Sequence, residues 1–231
     1  MGKISIITPT IRPEGLETVL LALKRQTFKD WEWLVGSPFD PDLRAVKWVK
    51  DDFEGGYWTL NRIYNKLIKE SQGELIISWQ DFTFADPTAL EKFWTHYENY
   101  PIGLVSAVGN KYLSVYPELG EMVWKDPRET DKNGSFYECF PNDVEWNLSS
   151  VPRVAMYDVG GFDEALDFRG FGMDGFYVNQ RLDKLGYKFF LDQTLKSYSL
   201  THGRVENWDE HNLIKEMDRI SYPNPRLEYL K

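Results

Sequence analysis

Asp81 closes a short apolar run, Leu75-Ile76-Ile77-Ser78, that passes through Trp79-Gln80 and then stops. Hard divalent cations take oxygen ligands, so a carboxylate delivered at the end of a buried strand suits holding such a cation against a diphosphate. Taken alone, the same residue fits a turn-forming or helix-capping aspartate equally well. Asp174 stands ahead of a stretch of helical periodicity, where the residues alone favour an N-cap or first-turn acid stabilised by the macrodipole. Of the three histidines, His96 lies within a helical stripe, His211 in a C-terminal helical stretch, and His202 follows the polar segment 196–201. Arg12 and Arg204 have the guanidinium fork that pairs with phosphate oxygens, although a solvated surface arginine is the plainer reading of each. The lone Cys139 excludes an intramolecular disulfide and a cysteine-based zinc site.

Alternating strands and helices position these groups. Lys3 to Ile7 is a β-branched run that ends at Thr8-Pro9-Thr10, as a buried strand feeding a loop should. Leu16, Val19, Leu20 and Leu23 follow helical spacing. Trp31 to Val35 is the next strand, closed by Gly36-Ser37-Pro38, and Ala45 to Val49 is a weaker third. Leu60, Ile63, Tyr64, Leu67 and Ile68 mark a second amphipathic helix. Asp86-Pro87 reads as an N-cap with proline at the first helical position, ahead of Leu90, Phe93, Trp94 and Tyr97, and Gly103 to Val108 is a strand. Strands separated by helices imply a largely parallel sheet covered on both faces, with ligands at the carboxyl ends of the strands. Thr8, Pro9, Thr10, the segment 36–40 and Asp81 therefore share one rim.

From Asn110 to Ser150 the pattern breaks into polar and aromatic residues, read as loops and irregular strands. Phe189 to Leu191 is a strand. Helical periodicity returns at Val178, Leu182 and Leu185, ended by Gly186, and again at Leu213, Ile214 and Met217. The chain reads as one domain, 1–231. It divides into residues 1–109 and 110–231.

A net charge of -9 argues against a surface that coats nucleic acid, since that affinity rests on lysine and arginine neutralising phosphates. Aromatic residues make up 16% of the chain, enough to fill a core and leave rings for stacking on sugars. No stretch is apolar enough to span a bilayer, and MGKISIITPT lacks the apolar region of an export signal, so the expected address is cytoplasmic.

The order of short motifs resembles the large inverting glycosyltransferase family with the GT-A fold (family 2-like). Ile4-Ser5-Ile6-Ile7-Thr8-Pro9-Thr10 is similar to that family's opening strand, and Gln26-Thr27 with Asp30-Trp31-Glu32 to its run into the second. Asn61 sits where the family carries an asparagine, and Gly73-Glu74-Leu75-Ile76 is similar to its "GEYI". Gly160-Gly161-Phe162-Asp163-Glu164 matches "GGFDE", Gly172-Met173-Asp174 falls at "G-E-D", and Thr201-His202 ends the pattern. The chain departs from the family in three places. Ser37-Pro38 replace a pair of aspartates, which leaves Asp40 as the candidate for reading the base. The DxD motif is reduced to Asp81-Phe82-Thr83, and Met173 replaces a glutamate.

The resemblance implies a GT-A type α/β fold, Rossmann-like, with an acceptor-side extension. Residues 1–109 would be the nucleotide-sugar-binding half, and residues 110–231 the acceptor-binding half with a C-terminal tail. It also implies transfer from a nucleoside-diphospho-sugar to a hydroxyl acceptor with inversion. Asp174 would be the general base. Thr8, Pro9, Thr10, Asp40, Asn61 and Asp81 would hold the nucleotide-sugar. Asp81, Thr83 and His202 would hold Mn²⁺ or Mg²⁺, Mn²⁺ being favoured by imidazole. The acceptor, shaped by loops bearing Trp124, Phe136, Tyr137 and Trp146, stays open between a glycan, a lipid-linked sugar and a protein. Two alternatives remain: a catalytically decayed carbohydrate- or nucleotide-binding protein of the same fold, and a sugar nucleotidyltransferase. The second needs a basic glycine-rich loop, and residues 8–15 hold one arginine and one glycine.

Overall fold

The computed structural model describes residues 3–52, 59–130, 134–169, 175–201 and 227–230. The strands are β1 (Ile4–Pro9), β2 (Trp31–Ser37), β3 (Lys47–Lys50), β4 (Leu75–Trp79), β5 (Thr83–Ala85), β6 (Gly103–Tyr112), β7 (Met122–Trp124), β8 (Phe136–Glu138), β9 (Leu148–Pro152) and β10 (Lys188–Leu200). The helices are α1 (Gly15–Arg25), α2 (Leu60–Glu70), α3 (Ala89–Asn99), α4 (Arg153–Asp158) and α5 (Gly175–Lys184), with 3-10 turns at Pro141–Asp143 and Glu164–Arg169.

One sheet carries all ten strands, in the order β3-β2-β1-β4-β9-β6-β10-β5, with β7 on β6 and β8 on β10. Strands β1, β2, β3, β4, β6 and β10 share one direction, and β5, β7, β8 and β9 oppose them. The sheet is thus mostly parallel, as the strand–helix alternation predicts. The central strands β1 and β4 are buried on both faces, which explains why they read as apolar runs rather than as alternation. Along β1, Ile4 and Ile6 pack with α1 and α3, while Ile7 joins the opposite cluster with α2, α4 and α5.

The expected boundaries shift in several places. α3 starts at Ala89 with Thr88 at its N-cap, and the Asp86 carboxylate instead accepts from the Tyr198 hydroxyl at 3.2 Å. β6 runs on to Tyr112, and β10 extends well past Leu191, paired with β6 in two registers on either side of an irregularity between Asp192 and Lys196. The largest correction is β9. The segment Leu148-Ser149-Ser150-Val151-Pro152, whose first part the sequence leaves among loops and irregular strands, is a regular buried strand lying between β4 and β6. Its two serines and closing proline hide the strand signal, while its place inside the sheet satisfies the backbone groups that a buried loop would leave unpaired. The helix expected near Leu213 lies outside the described residues.

Candidate active site

The rim predicted from strand order is present. Thr8-Pro9-Thr10, Ser37, Asp51 and Asp81 lie at or just past the carboxyl ends of β1, β2, β3 and β4. Thr10 leaves β1 with its N–H donated to the Gly36 carbonyl at 2.8 Å, which ties the first two strand ends together.

Asp81 is the most tightly held group on this rim. Its residue is 5% exposed, and its carboxylate accepts the Thr10 hydroxyl at 2.6 Å. Arg12 adds two further donors, Nε to Oδ2 at 3.0 Å and Nη2 to Oδ1 at 2.7 Å. The same guanidinium lies 4.9 Å from the Phe82 ring centroid. Both oxygens of Asp81 are therefore engaged by a charge-assisted fork. The fork depends on Gly15, whose N–H bonds Arg12 O and whose carbonyl accepts from Phe82 N. A Cβ at Gly15 would come within 2.8 Å of the Asp81 Cβ and 2.7 Å of the Phe82 ring, so the loop approaches this closely only with glycine there. Phe82 itself has a positive φ of 57°, a strained value for an aromatic residue, at the turn that presents Asp81.

The remaining expected residues divide. Thr8 is buried; its hydroxyl donates to the Trp79 carbonyl at 2.7 Å and accepts from Trp33 Nε1 at 3.0 Å, so it knits β1, β2 and β4 together. Thr83 shares its hydroxyl between the Asp81 carbonyl and the Ser199 hydroxyl, both at 3.3 Å. Asp40 is exposed and accepts from the Asp42 N–H at 2.9 Å in a tight turn. Asn61 is buried in the first turn of α2, where the Asp167 carboxylate caps its N–H at 2.9 Å and that of Arg62 at 2.8 Å. Burial raises the Asp167 carboxyl to about 6 in spite of those two donors. Asp174, His202 and Arg204 lie outside the described residues. Their flanks are described: Gly175 begins α5, and Leu200 at the end of β10 donates its N–H to the Phe82 carbonyl at 2.8 Å, beside the Asp81 turn.

Two residues on this rim carry no signal in the sequence reading. Asp51, just past β3, is 2% exposed; burial raises its carboxyl above the ordinary range, against the Thr59 hydroxyl that donates to it at 3.1 Å. Its N–H bonds the Ser37 carbonyl at 2.9 Å, beside the strand end where the family's aspartate pair would fall. Asn65, buried in α2, grips the glycine-glycine turn by accepting from Phe162 N at 2.8 Å and donating to Phe162 O and Glu164 Oε1, each at 2.9 Å.

A cleft of about 280 Å³ opens at Gln80, the residue before Asp81, lined in part also by Trp146, Asn147, Gly175, Phe176 and Asn179. Trp146 is buried and donates Nε1 to Asn179 Oδ1 at 3.2 Å, which fixes its ring as a wall of the cleft. Phe136 does not serve this cleft; it stacks on His96 at 4.2 Å and Phe190 at 5.1 Å. His96 is bonded to Asp192 at 2.7 Å and belongs to that packing.

Residues for a cation fall short among those described. No group of three or more His, Cys, Asp or Glu there lies close enough to hold a metal, and Asp81 is already neutralised by Arg12. No helix among the described residues is long and apolar enough to cross a membrane.

No protein-family model and no curated protein matches the sequence. Solved structures do. S. aureus TarS, residues 1–349 in complex with UDP, superposes with a TM-score of 0.61 at 14% identity, covering 86% of this chain and 60% of that one. The fold is GT-A-like. Within that GT-A-like frame the chain spans 60% of the length of the TarS chain it matches.

Proposed function

We propose that this protein transfers a sugar from a nucleoside-diphosphate donor to an acceptor hydroxyl, with inversion at the anomeric carbon. The observation that carries the reading is the buried Asp81 carboxylate, locked by Arg12 and Thr10 at the carboxyl ends of the central strands of a GT-A-like sheet. The UDP held by the TarS chain supports a nucleotide at this rim.

In this scheme the acceptor hydroxyl attacks the anomeric carbon from the face opposite the nucleoside diphosphate. The carbon–oxygen bond to the diphosphate breaks as the new one forms, and Asp174 takes the hydroxyl proton. Asp174 precedes Gly175, and Gln80 precedes Asp81. Both neighbours, Gly175 and Gln80, line the 280 Å³ cleft, which supports the acceptor hydroxyl being met there. Arg12, paired with Asp81 here, would have to share its guanidinium to meet a diphosphate, and Mn²⁺ or Mg²⁺ would need His202 and the diphosphate itself to complete a shell around Asp81.

The test is release of nucleoside diphosphate by purified protein from a panel of UDP-, GDP- and dTDP-sugars, with and without Mn²⁺. Asp174→Asn is expected to lower the rate by roughly 10²–10⁴, the usual size of general-base assistance. An unchanged rate in that variant removes Asp174 from the scheme. Because Asp81 is neutralised, a nucleotide-binding protein without turnover is the second reading; binding of UDP with no release from any sugar donor would select it.

A further inference from the structure

A second cleft, of about 500 Å³, meets the one at Gln80 along the segment 140–144. The 3-10 turn Pro141–Asp143 is the wall between them: Asn142 and Val144 face the smaller cleft, Phe140 and Asp143 the larger. The larger volume falls within the roughly 300–1,000 Å³ typical of small-molecule sites.

Its lining combines aromatic faces with carboxylates. Phe140 is 76% exposed, an unusual cost for a ring with nothing covering it, and Tyr137 is half-buried nearby. Phe176, 44% exposed, presents a ring in the smaller cleft on the other side of the turn. The one arginine of the larger cleft, Arg128, is spent internally: Nε donates to Asp126 at 2.9 Å and Nη1 to the Asp143 carbonyl at 2.7 Å. Glu138 is matched by Lys188 at 2.9 Å. Among the described lining residues no guanidinium fork is therefore left for a phosphate or sulfate, while Asp143 adds a carboxylate. Rings that stack on apolar sugar faces, together with carboxylates that accept from hydroxyl groups, suit an uncharged polyol ligand.

Resting on the transferase reading above, we propose that the larger cleft binds the sugar units of the acceptor next to the one that reacts. The acceptor is then an uncharged oligosaccharide lying across the turn at Pro141–Asp143, with Phe140 and Phe176 as stacking platforms on the two sides. Neither a protein side chain nor a polyanionic chain has this combination of faces and hydroxyls.

Binding to malto- and chito-oligosaccharide ladders of increasing length, followed by saturation-transfer NMR and calorimetry on the whole protein, tests this directly. Affinity in at least one ladder is expected to rise by about tenfold from the single sugar to the longer members. Phe140→Ala, at an exposed position, is expected to flatten that rise by about five- to tenfold while UDP binding stays unchanged. The proposal is overturned if no oligosaccharide binds better than its monosaccharide, if Phe140→Ala leaves the length dependence intact, or if a polyphosphate chain binds as well. UDP binding is measured on the same samples. Length-dependent glycan binding without any nucleotide binding would instead overturn the transferase reading and leave the cleft standing.

Discussion

Arg12 and Asp81 meet in a two-point pair, Nη2 to Oδ1 at 2.7 Å and Nε to Oδ2 at 3.0 Å, across 69 positions of sequence. The pair joins the loop after β1 to the turn after β4 and leaves the carboxylate no oxygen without a donor. Replacing Arg12 by Gln shortens the side chain and removes the charge, stranding a buried carboxylate with Thr10. The expected cost is about 2–4 kcal/mol, somewhat below that of a fully buried pair because the Arg12 side chain is 19% exposed. The same change opens Asp81 to a cation, so Mn²⁺ should raise the melting temperature of Arg12→Gln more than that of the parent. Thermal denaturation with and without millimolar Mn²⁺ compares them, and equal shifts would sink the competition between guanidinium and metal.

The Gly160-Gly161 turn is a second place where small changes should have large effects. Both residues have positive φ, 73° and 91°. A Cβ on Gly160 would fall 1.3 Å from the Leu227 carbonyl oxygen, and one on Gly161 would fall 2.5 Å from Asn65 Oδ1. Gly161→Ala is expected to cost at least about 1–3 kcal/mol from backbone strain alone. Gly160→Ala should in addition release residues 227–230, whose Tyr229 N–H bonds the Gly160 carbonyl at 3.1 Å. Faster proteolytic trimming of the C-terminus in Gly160→Ala than in the parent would show that release.

Asp167 gives a pH dependence with a definite sign. Its folded carboxyl titrates at about 6, above its ordinary 3.8, because burial disfavours the charged form. Between about pH 4 and 6 the folded state binds this proton and the unfolded state has lost it, so this group's contribution to stability falls as pH rises through that window. The fall amounts to roughly 1–3 kcal/mol. Asp167→Asn should flatten the slope of unfolding free energy against pH over the same range, read from urea titrations; an identical slope would mean that Asp167 ionises normally.

Cys139 offers a simple chemical probe. Burial and the neighbouring Asp143 push its thiol up to about 12, so almost none is thiolate near neutral pH. Reaction with a disulfide reagent at about pH 8 should be slow in the folded protein and fast in denaturant; fast labelling of both would contradict the packing around β8.

Much of this architecture was legible because the first hundred residues are locally consistent. β-branched runs, helical stripes and loop residues agree about where each element lies, and the carboxyl-end rule then collects Thr10 and Asp81 without any homologue. What escaped were groups defined by partners far along the chain. Asp51 looks like an ordinary acid after a weak strand, and only the three-dimensional pairing with Thr59 and Ser37 reveals a buried carboxylate at the rim. Arg12 reads as a surface residue until the turn after β4 is placed against it. Asn65 was missed because helical periodicity ranks residues by face, not by which loop will dock there. β9 carries no apolar alternation, since a strand with sheet neighbours on both sides is buried along its whole length, serines included.

The position of β9 also governs how the chain reaches its native state. Residues 148–152 slot between β4 and β6, two strands formed by residues 75–79 and 103–112. A ribosome-bound chain that has emerged only as far as residue 112 thus holds two strands whose shared neighbour has yet to be synthesised. Their exposed edges would be templates for aggregation until it arrives. Splitting the protein near residue 109 should therefore give an insoluble N-terminal fragment, rescued by co-expression with the remainder.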